Sequence, residues 1–248
     1  MEFKIWNLSY DADFKKILKD ISLYLPSNKM IGILGPNGSG KTTLLKHLYK
    51  NISVKNKIFL DSKDIFEIPQ KKYSCTVGVL SQFNEQIDKR LCAEDIVYMG
   101  RYPHKKLWQE YDKHDAEIVE TALKRTGMLW AKKRKFYSLS GGERQRIMVA
   151  KVFASEPEVI ILDEPANHLD IKYKMEFMKI FSEFDGTVIL SMHDLNLCVK
   201  YCDEAVLLKD GTIYQTGKPL EIINEENLKN VYDVDFKIIL KPEFIIYI

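Results

Sequence analysis

The stretch Met30-Ile31-Gly32-Ile33-Leu34-Gly35-Pro36-Asn37-Gly38-Ser39-Gly40-Lys41-Thr42-Thr43-Leu44-Leu45 decides the fold. Its first five residues are a short apolar run, the pattern of a strand buried on both faces of a parallel sheet. Downstream, Leu44, Leu45, Leu48, Tyr49 and Ile52 recur at helical spacing. Between the two, residues 35–42 fit G-x-x-x-x-G-K-[ST] without a mismatch. The glycines therefore stand at a strand-to-helix turn. There backbone N–H groups converge, and the helix N-terminus adds partial positive charge for a phosphate. Gly38 and Gly40 allow backbone conformations that other residues resist. Lys41 is expected to reach the outer phosphates of a nucleoside triphosphate, and the Thr42 hydroxyl to help hold Mg²⁺.

The bulk numbers exclude little. The chain has 248 residues, with 37 Lys plus Arg against 35 Asp plus Glu. This near-balance gives no argument for nucleic acid or an acidic partner. The cysteines, Cys75, Cys92, Cys198 and Cys202, show no zinc-like pairing, and reduced thiols in a cytosolic chain account for them most simply. Cys198 and Cys202 are four apart and share a face if that segment is helical; packing is their default role. No signal peptide is read, nor any apolar stretch near about 18 residues, so a chain soluble by itself is expected. Docking onto a membrane partner is compatible with that.

Outward from the opening stretch, residues 3–8 and 21–25 read as strands, and residues 9–20 between them as polar and turn-like. Residues 57–60 and 77–80 read as further short strands. From residue 83 to 138 the pattern is helical, with Ile118, Val119, Ala122 and Leu123 as an apolar stripe. Asp112 is its candidate N-cap, with Asp115 three residues on and Gly127 closing it. Strands return at 159–162, 187–192 and 205–208, separated by helical patterns as a parallel sheet requires. Asp210-Gly211 is a strong hairpin signal into residues 212–215. Residues 221–232 read as a helix and 236–248 as strand-like.

Two further clusters carry chemistry. Val159-Ile160-Ile161-Leu162 ends in Asp163-Glu164, and a buried strand does not end in paired carboxylates without a desolvation cost. At the C-terminal end of a central strand, Asp163 would meet the Mg²⁺ held by Thr42. Glu164 would stand by the terminal phosphate, able to orient an attacking water or accept its proton. In Leu139-Ser140-Gly141-Gly142-Glu143-Arg144-Gln145, a Ser and two glycines open a second helix suited to an anion. A chain with one phosphate loop has no use for two such helix ends, unless the second serves the nucleotide of a neighbouring subunit.

These three motifs, in this order, resemble the phosphate loop, signature and acidic strand of ATP-binding-cassette (ABC) ATPases, and the resemblance covers essentially the whole chain. It implies an α/β P-loop NTPase with a RecA-like parallel sheet core, an antiparallel β subdomain and a helical insertion. Residues 1–82 and 139–248 would form the nucleotide-binding core with the β subdomain, and 83–138 the helical subdomain. ATP and Mg²⁺ are the implied cofactors, the nucleotide being bound along Gly35, Pro36, Asn37, Gly38, Ser39, Gly40, Lys41, Thr42 and Thr43. Tyr10 resembles the aromatic that stacks on adenine. Gln82 resembles the glutamine that touches Mg²⁺ and the attacking water. Asn167-His168-Leu169-Asp170 resembles the loop through which two subunits communicate. His193 resembles the switch histidine on the γ-phosphate. Ser140, Gly141 and Gly142 would bind the γ-phosphate held by a partner copy, giving a homodimer closed through ATP. The resemblance thus makes Lys41, Gln82, Glu164 and His193 the catalytic set, and Thr42, Gln82 and Asp163 the metal ligands.

Met99-Gly100-Arg101-Tyr102-Pro103-His104, followed by Leu107-Trp108, is similar to a segment of importer ATPases for iron–siderophore chelates, haem and cobalamin. That resemblance implies a motor at the cytoplasmic face of the membrane. It would be peripheral, gripping an integral permease dimer and serving a substrate-binding protein only indirectly. Other classes remain open on the residues alone: a soluble ATPase of translation, repair or iron–sulfur assembly, or an importer of another substrate. The run Lys132-Lys133-Arg134-Lys135 reads as a solvated loop, with anionic lipid as an alternative. No aromatic platform accompanies it, so nucleic acid is not expected.

Overall fold

A computed structural model of the chain describes residues 1–81, 87–106, 108–165, 170–240 and 244–247, the last four and Leu240 by backbone alone. Strands β1 (Phe3–Ala12) and β2 (Lys15–Leu25) form a hairpin, and β3 (Met30–Leu34) runs into helix α1 (Lys41–Leu48). Next come β4 (Ile58–Leu60), β5 (Lys63–Asp64), α2 (Gln70–Thr76) and β6 (Val77–Leu80). The described chain is then helical through α3 (Ala93–Tyr98), a 3-10 segment (Met99–His104), α4 (Lys113–Arg125) and α5 (Gly141–Ala154). After β7 (Val159–Leu162) follow α6 (Ile171–Ser182), β8 (Thr187–Ser191), α7 (Leu195–Tyr201) and the hairpin β9 (Glu204–Lys209)–β10 (Thr212–Gly217). Helices α8 (Pro219–Ile222) and α9 (Glu225–Tyr232) lead to the hairpin β11 (Lys237–Leu240)–β12 (Phe244–Tyr247).

The central sheet has the order β10-β9-β3-β8-β7-β6, parallel apart from its edge strand β10. An antiparallel sheet, β2-β1-β4-β5, covers one face. All residues of β3, β7 and β8 are buried, which explains their continuous apolar runs. Side chains alternate between two cores. Met30, Leu34, Ile160, Leu162, Val188 and Leu190 face α5, α6 and α7, whereas Ile31, Ile33, Ile161 and Ile189 face α1 and the antiparallel sheet. No helix among the described residues is long and apolar enough to cross a membrane.

Two readings of the sequence are corrected. Residues 9–20 are not a turn, since β1 and β2 run on to a two-residue turn at Asp13-Phe14, with φ of 48° and 61°. The strand signal is hidden by register shifts between Ile5 and Asp11 and by left-handed Asn7 and Asp20. Polar side chains clamp these irregular places: Ser9 Oγ donates to Asp20 Oδ1 at 2.8 Å, and Ser22 Oγ to Asn7 Oδ1 at 2.9 Å. Residues 221–232 are two helices, because Asn224 leaves the helical region and caps α9, its side chain accepting from Asn227 N at 2.9 Å. Other turn readings hold. Asp210-Gly211 carries the β9–β10 turn at φ 49° and 79°. Asp112 and Asp115 form a reciprocal capping box on α4.

Residues 99–104 owe their position to polar chemistry. A Cβ on Gly100 would lie 2.2 Å from the Lys151 carbonyl oxygen, so only glycine lets the segment seat on α5. Arg101, 4% exposed, donates to Asp115 Oδ1 at 3.0 Å, to the Ala154 carbonyl at 2.8 Å and to Glu156 Oε2 at 2.7 Å. His104 Nε2 lies 2.8 Å from the Ser155 carbonyl. The Arg101 guanidinium meets the negative end of the α5 dipole. Burial alone would raise Asp115, but Lys105, the Asp115–Asp112 cap and Arg101 outweigh it and hold the carboxyl at about 2. Replacing Arg101 by Ala leaves Asp115 to Lys105 and its cap and strips the buried Ala154 carbonyl of its charged donor, at a cost of about 1.5–3 kcal/mol. Urea unfolding of Arg101→Ala checks this; a loss under about 1 kcal/mol, the range of a surface pair, contradicts it.

Candidate nucleotide site

The strand-to-helix turn after β3 is tight for steric reasons. Gly35 has φ +149°, and a Cβ there would lie 2.3 Å from the Leu208 carbonyl oxygen. Gly40 has φ +102°, and its Cβ would lie 2.8 Å from Leu18 Cδ2. Gly40 is also the N-cap of α1, so no side chain caps that helix, and its first turn holds no acid. The amides at this end are thus left for an anion. Ser39 is 2% exposed, and its Oγ has no hydrogen-bond partner among the described residues. A buried hydroxyl without a partner is costly, and a phosphate oxygen would satisfy it. Lys41 Nζ donates to the carbonyls of Gly35 at 2.7 Å and Pro36 at 3.0 Å. Burial pushes the Lys41 ammonium down, opposed by the charges of Glu164 and Asp163.

A cleft of about 240 Å³ opens over this turn, lined by Asn37, Gly38, Gly40, Lys41, Thr42, Thr43 and Glu164 together with Lys15 and Ile17 of β2. The acids come from β7, which is separated from β3 by β8. Thr42 Oγ1 donates to Asp163 Oδ1 at 3.0 Å. At the end of the intervening strand, Ser191 Oγ donates to the same Asp163 oxygen at 2.9 Å and accepts from Glu164 N at 2.8 Å. Burial pushes the Asp163 carboxyl up, and the bonds from Ser191 and Thr42 only partly offset it. Glu164 is held at φ +49°, a strained value for this residue type, and its Oε1 lies 3.0 Å from His193 Nε2. Lys41, Thr42, Asp163, Glu164 and His193, expected from the sequence, thus gather at one edge of the sheet.

Other expected residues lie elsewhere. Tyr10 is not among the cleft's lining residues; its ring packs edge-on against His47, centroids 4.9 Å apart. Ser140 caps α5, its Oγ accepting from Glu143 N at 3.3 Å while Glu143 Oε2 accepts from Ser140 N at 2.7 Å. Nothing lies within 4 Å of a Cβ built on Gly141, and only the Tyr173 ring, at 3.9 Å, approaches one on Gly142. This end of α5 is therefore open, and it does not line the chain's own cleft. Asp170 caps α6, accepting from Tyr173 N at 2.9 Å. Gln145 Nε2 donates to the Pro165 carbonyl at 3.0 Å, tying α5 to the segment after Glu164. Gln82 and residues 166–169 lie outside the described residues. The sequence reading missed Ser191, Lys15 and Ile17. In the sequence, only the small polar Ser191 ending the apolar run 188–190 pointed to the first.

A triphosphate site with these elements on this sheet defines a P-loop ATPase of cassette type. Residues 18–167 match the ABC transporter family, to which the chain belongs as an ATPase subunit. It is 32% identical to the petrobactin import ATP-binding protein FpuD of Bacillus anthracis, covering 98% of this chain and 90% of that one. It is 31% identical to the ferric enterobactin transport ATP-binding protein FepC of Escherichia coli, covering 91% and 85%. Among solved structures, a metal-chelate type ABC transporter in an inward-facing conformation superposes with a TM-score of 0.83 at 26% identity, covering 99% and 95%.

The orphaned Ser39 hydroxyl generates a prediction. Ser39→Ala removes a buried donor that lacks a partner in the free protein, so thermal stability should not fall. ATP affinity should drop about tenfold or more, the worth of a hydrogen bond to a charged group. Calorimetric titration with ATP tests this; unchanged affinity contradicts it.

Proposed function

We propose that the chain is the ATP-hydrolysing subunit of an importer for chelated iron, in the class of ferric siderophores. The observation that carries this is its likeness, over nearly the whole length, to subunits of petrobactin and enterobactin systems. Two copies would close head to tail over two ATP molecules. In each site the loop amides, Ser39 and Lys41 would bind phosphate, Lys41 exchanging its present carbonyl partners for phosphate oxygens. Glu164 would orient or deprotonate the attacking water, with His193 beside it contacting the γ-phosphate. Ser140, Gly141 and Gly142 of the second copy would complete the phosphate cradle, which the open end of α5 supports. Catalysis in such a site is positioning plus electrostatics.

Mg²⁺ would be held by Thr42 and Asp163 with Gln82, and would neutralise charge on the phosphates. The donor set supports this: two hard oxygen ligands already lie 3.0 Å apart, one on a carboxyl that burial has made reluctant to ionise without a cation. Tyr10 would stack on adenine after leaving His47, and Asp170 would stand at the contact between copies.

The partner would be an integral permease dimer at the cytoplasmic face of the membrane, fed by a binding protein. Residues 83–138 would be the subdomain that meets it. A groove of about 770 Å³ between α2 and residues 102–106 and 108–111 supports this, with Tyr102 71% and Trp108 91% exposed at its rim. Beneath it, Arg101 and His104 grip the far end of α5, whose N-terminus carries Ser140. The basic run is partly neutralised, Lys133 and Lys132 both pairing with Glu94.

Reconstitution tests the reading. Proteoliposomes carrying the chain with its permease and a ferric-siderophore binding protein should take up the labelled chelate when ATP is enclosed. The same vesicles with Glu164→Gln should bind ATP and take up none. Uptake that persists with Glu164→Gln, or co-purification with ribosomes or DNA in place of a permease, contradicts it.

A further inference from the structure

Behind the phosphate-loop strand lies a cluster of sulfur atoms that ATP chemistry does not use. Gly32, in the middle of β3, faces α7 and the end of β8. A Cβ on Gly32 would lie 2.8 Å from Cys198 Sγ, 3.2 Å from Cys202 Sγ and 3.5 Å from Met192 Sδ. Three sulfurs from three positions therefore ring one point, and the absence of a side chain at 32 gives them that room. Cys198 and Cys202 lie one helical turn apart, on α7 and at its C-cap, with the Cys202 backbone N–H donating to the Cys198 carbonyl at 2.9 Å. Both are free thiols, 0% and 8% exposed, and Met192 is 8% exposed.

We propose that Cys198, Cys202 and Met192 form a binding site for a soft monovalent cation, Cu(I) or Ag(I). Packing alone asks for apolar volume, which Val or Leu supplies. Two thiols and a thioether converging on one glycine supply the low-coordinate, all-sulfur set that a soft ion prefers. Zinc lacks what it needs here. No group of three or more His, Cys, Asp or Glu side chains among the described residues is arranged to hold a metal, and structural zinc takes four ligands. An entering ion must displace the thiol protons to solvent, which strongly thiophilic ions do. The metal keeps its oxidation state, and each thiolate formed releases one proton to water. Bound there, the ion would link α7 to Met192, the residue preceding His193. The inference does not depend on what the transporter carries.

The probe is Cu(I) itself, titrated without oxygen against a chromophoric chelator. The protein is the full chain with Cys75→Ala and Cys92→Ala, which removes the two half-exposed thiols. One Cu(I) per chain is expected. Adding Met192→Leu should weaken binding by about tenfold or more, and adding Cys198→Ala or Cys202→Ala should abolish competition with the chelator. Absence of competition by the Cys75→Ala/Cys92→Ala protein, or equal affinity after Cys198→Ala, overturns the proposal. Should the core variants fail to fold, X-ray absorption on the Cys75→Ala/Cys92→Ala protein decides. A copper shell of three sulfurs supports the site, and one dominated by nitrogen or oxygen overturns it.

Discussion

The hydrogen bond from Thr42 to Asp163 is the constraint on which the site depends. The two residues follow strands that are not neighbours, Thr42 in α1 after β3 and Asp163 just after β7. β8 lies between β3 and β7, so the phosphate loop and the acids are two strand spacings apart, about 9–10 Å at the sheet edge. A bulky residue at the end of β8 would keep them apart. Ser191 is small, donates to Asp163 and accepts from Glu164 N, so it both permits the approach and sets the two carboxylates in register. The left-handed backbone of Glu164 follows from this tether, since it turns the chain so that the side chain reaches His193.

Around that contact the chain is prepared for an anion at one helix end and open at another. α1 begins on glycine with no side-chain cap, while α5 begins on a capped but exposed Ser140 away from the cleft. α5 spans 14 residues, roughly 21 Å at 1.5 Å per residue. Arg101, His104 and the close seat of Gly100 fasten its other end. The segment that carries the exposed Tyr102 is therefore tied to the signature helix through Gly100, Arg101 and His104.

The parallel core was legible because strands buried on both faces are written as largely apolar runs, and the readings 30–34, 159–162 and 187–192 meet β3, β7 and β8 to within one residue. Lys41, Thr42, Asp163 and Glu164 were legible because their chemistry is tied to where such strands end. The long β1–β2 hairpin was not. Its polar residues bond to one another across register shifts, and its turn puts Phe14 at positive φ where Gly or Asn is usual, so local composition argued for a loop. Ser191 was missed for a different reason: its role exists only because β8 separates β3 from β7, and strand order is not a local property. The sulfur cluster likewise needs Gly32, 166 residues from Cys198, to be seen beneath α7.

The proposed head-to-tail closure makes the cleft of one chain half a site. Its most direct test is the ATPase rate of the purified chain across a wide range of protein concentration, with sedimentation of Glu164→Gln in ATP alongside. The rate should rise with the square of concentration while monomer dominates, and the Glu164→Gln protein should sediment as a dimer only with ATP. A rate strictly proportional to concentration, with Glu164→Gln monomeric at saturating ATP, would contradict it.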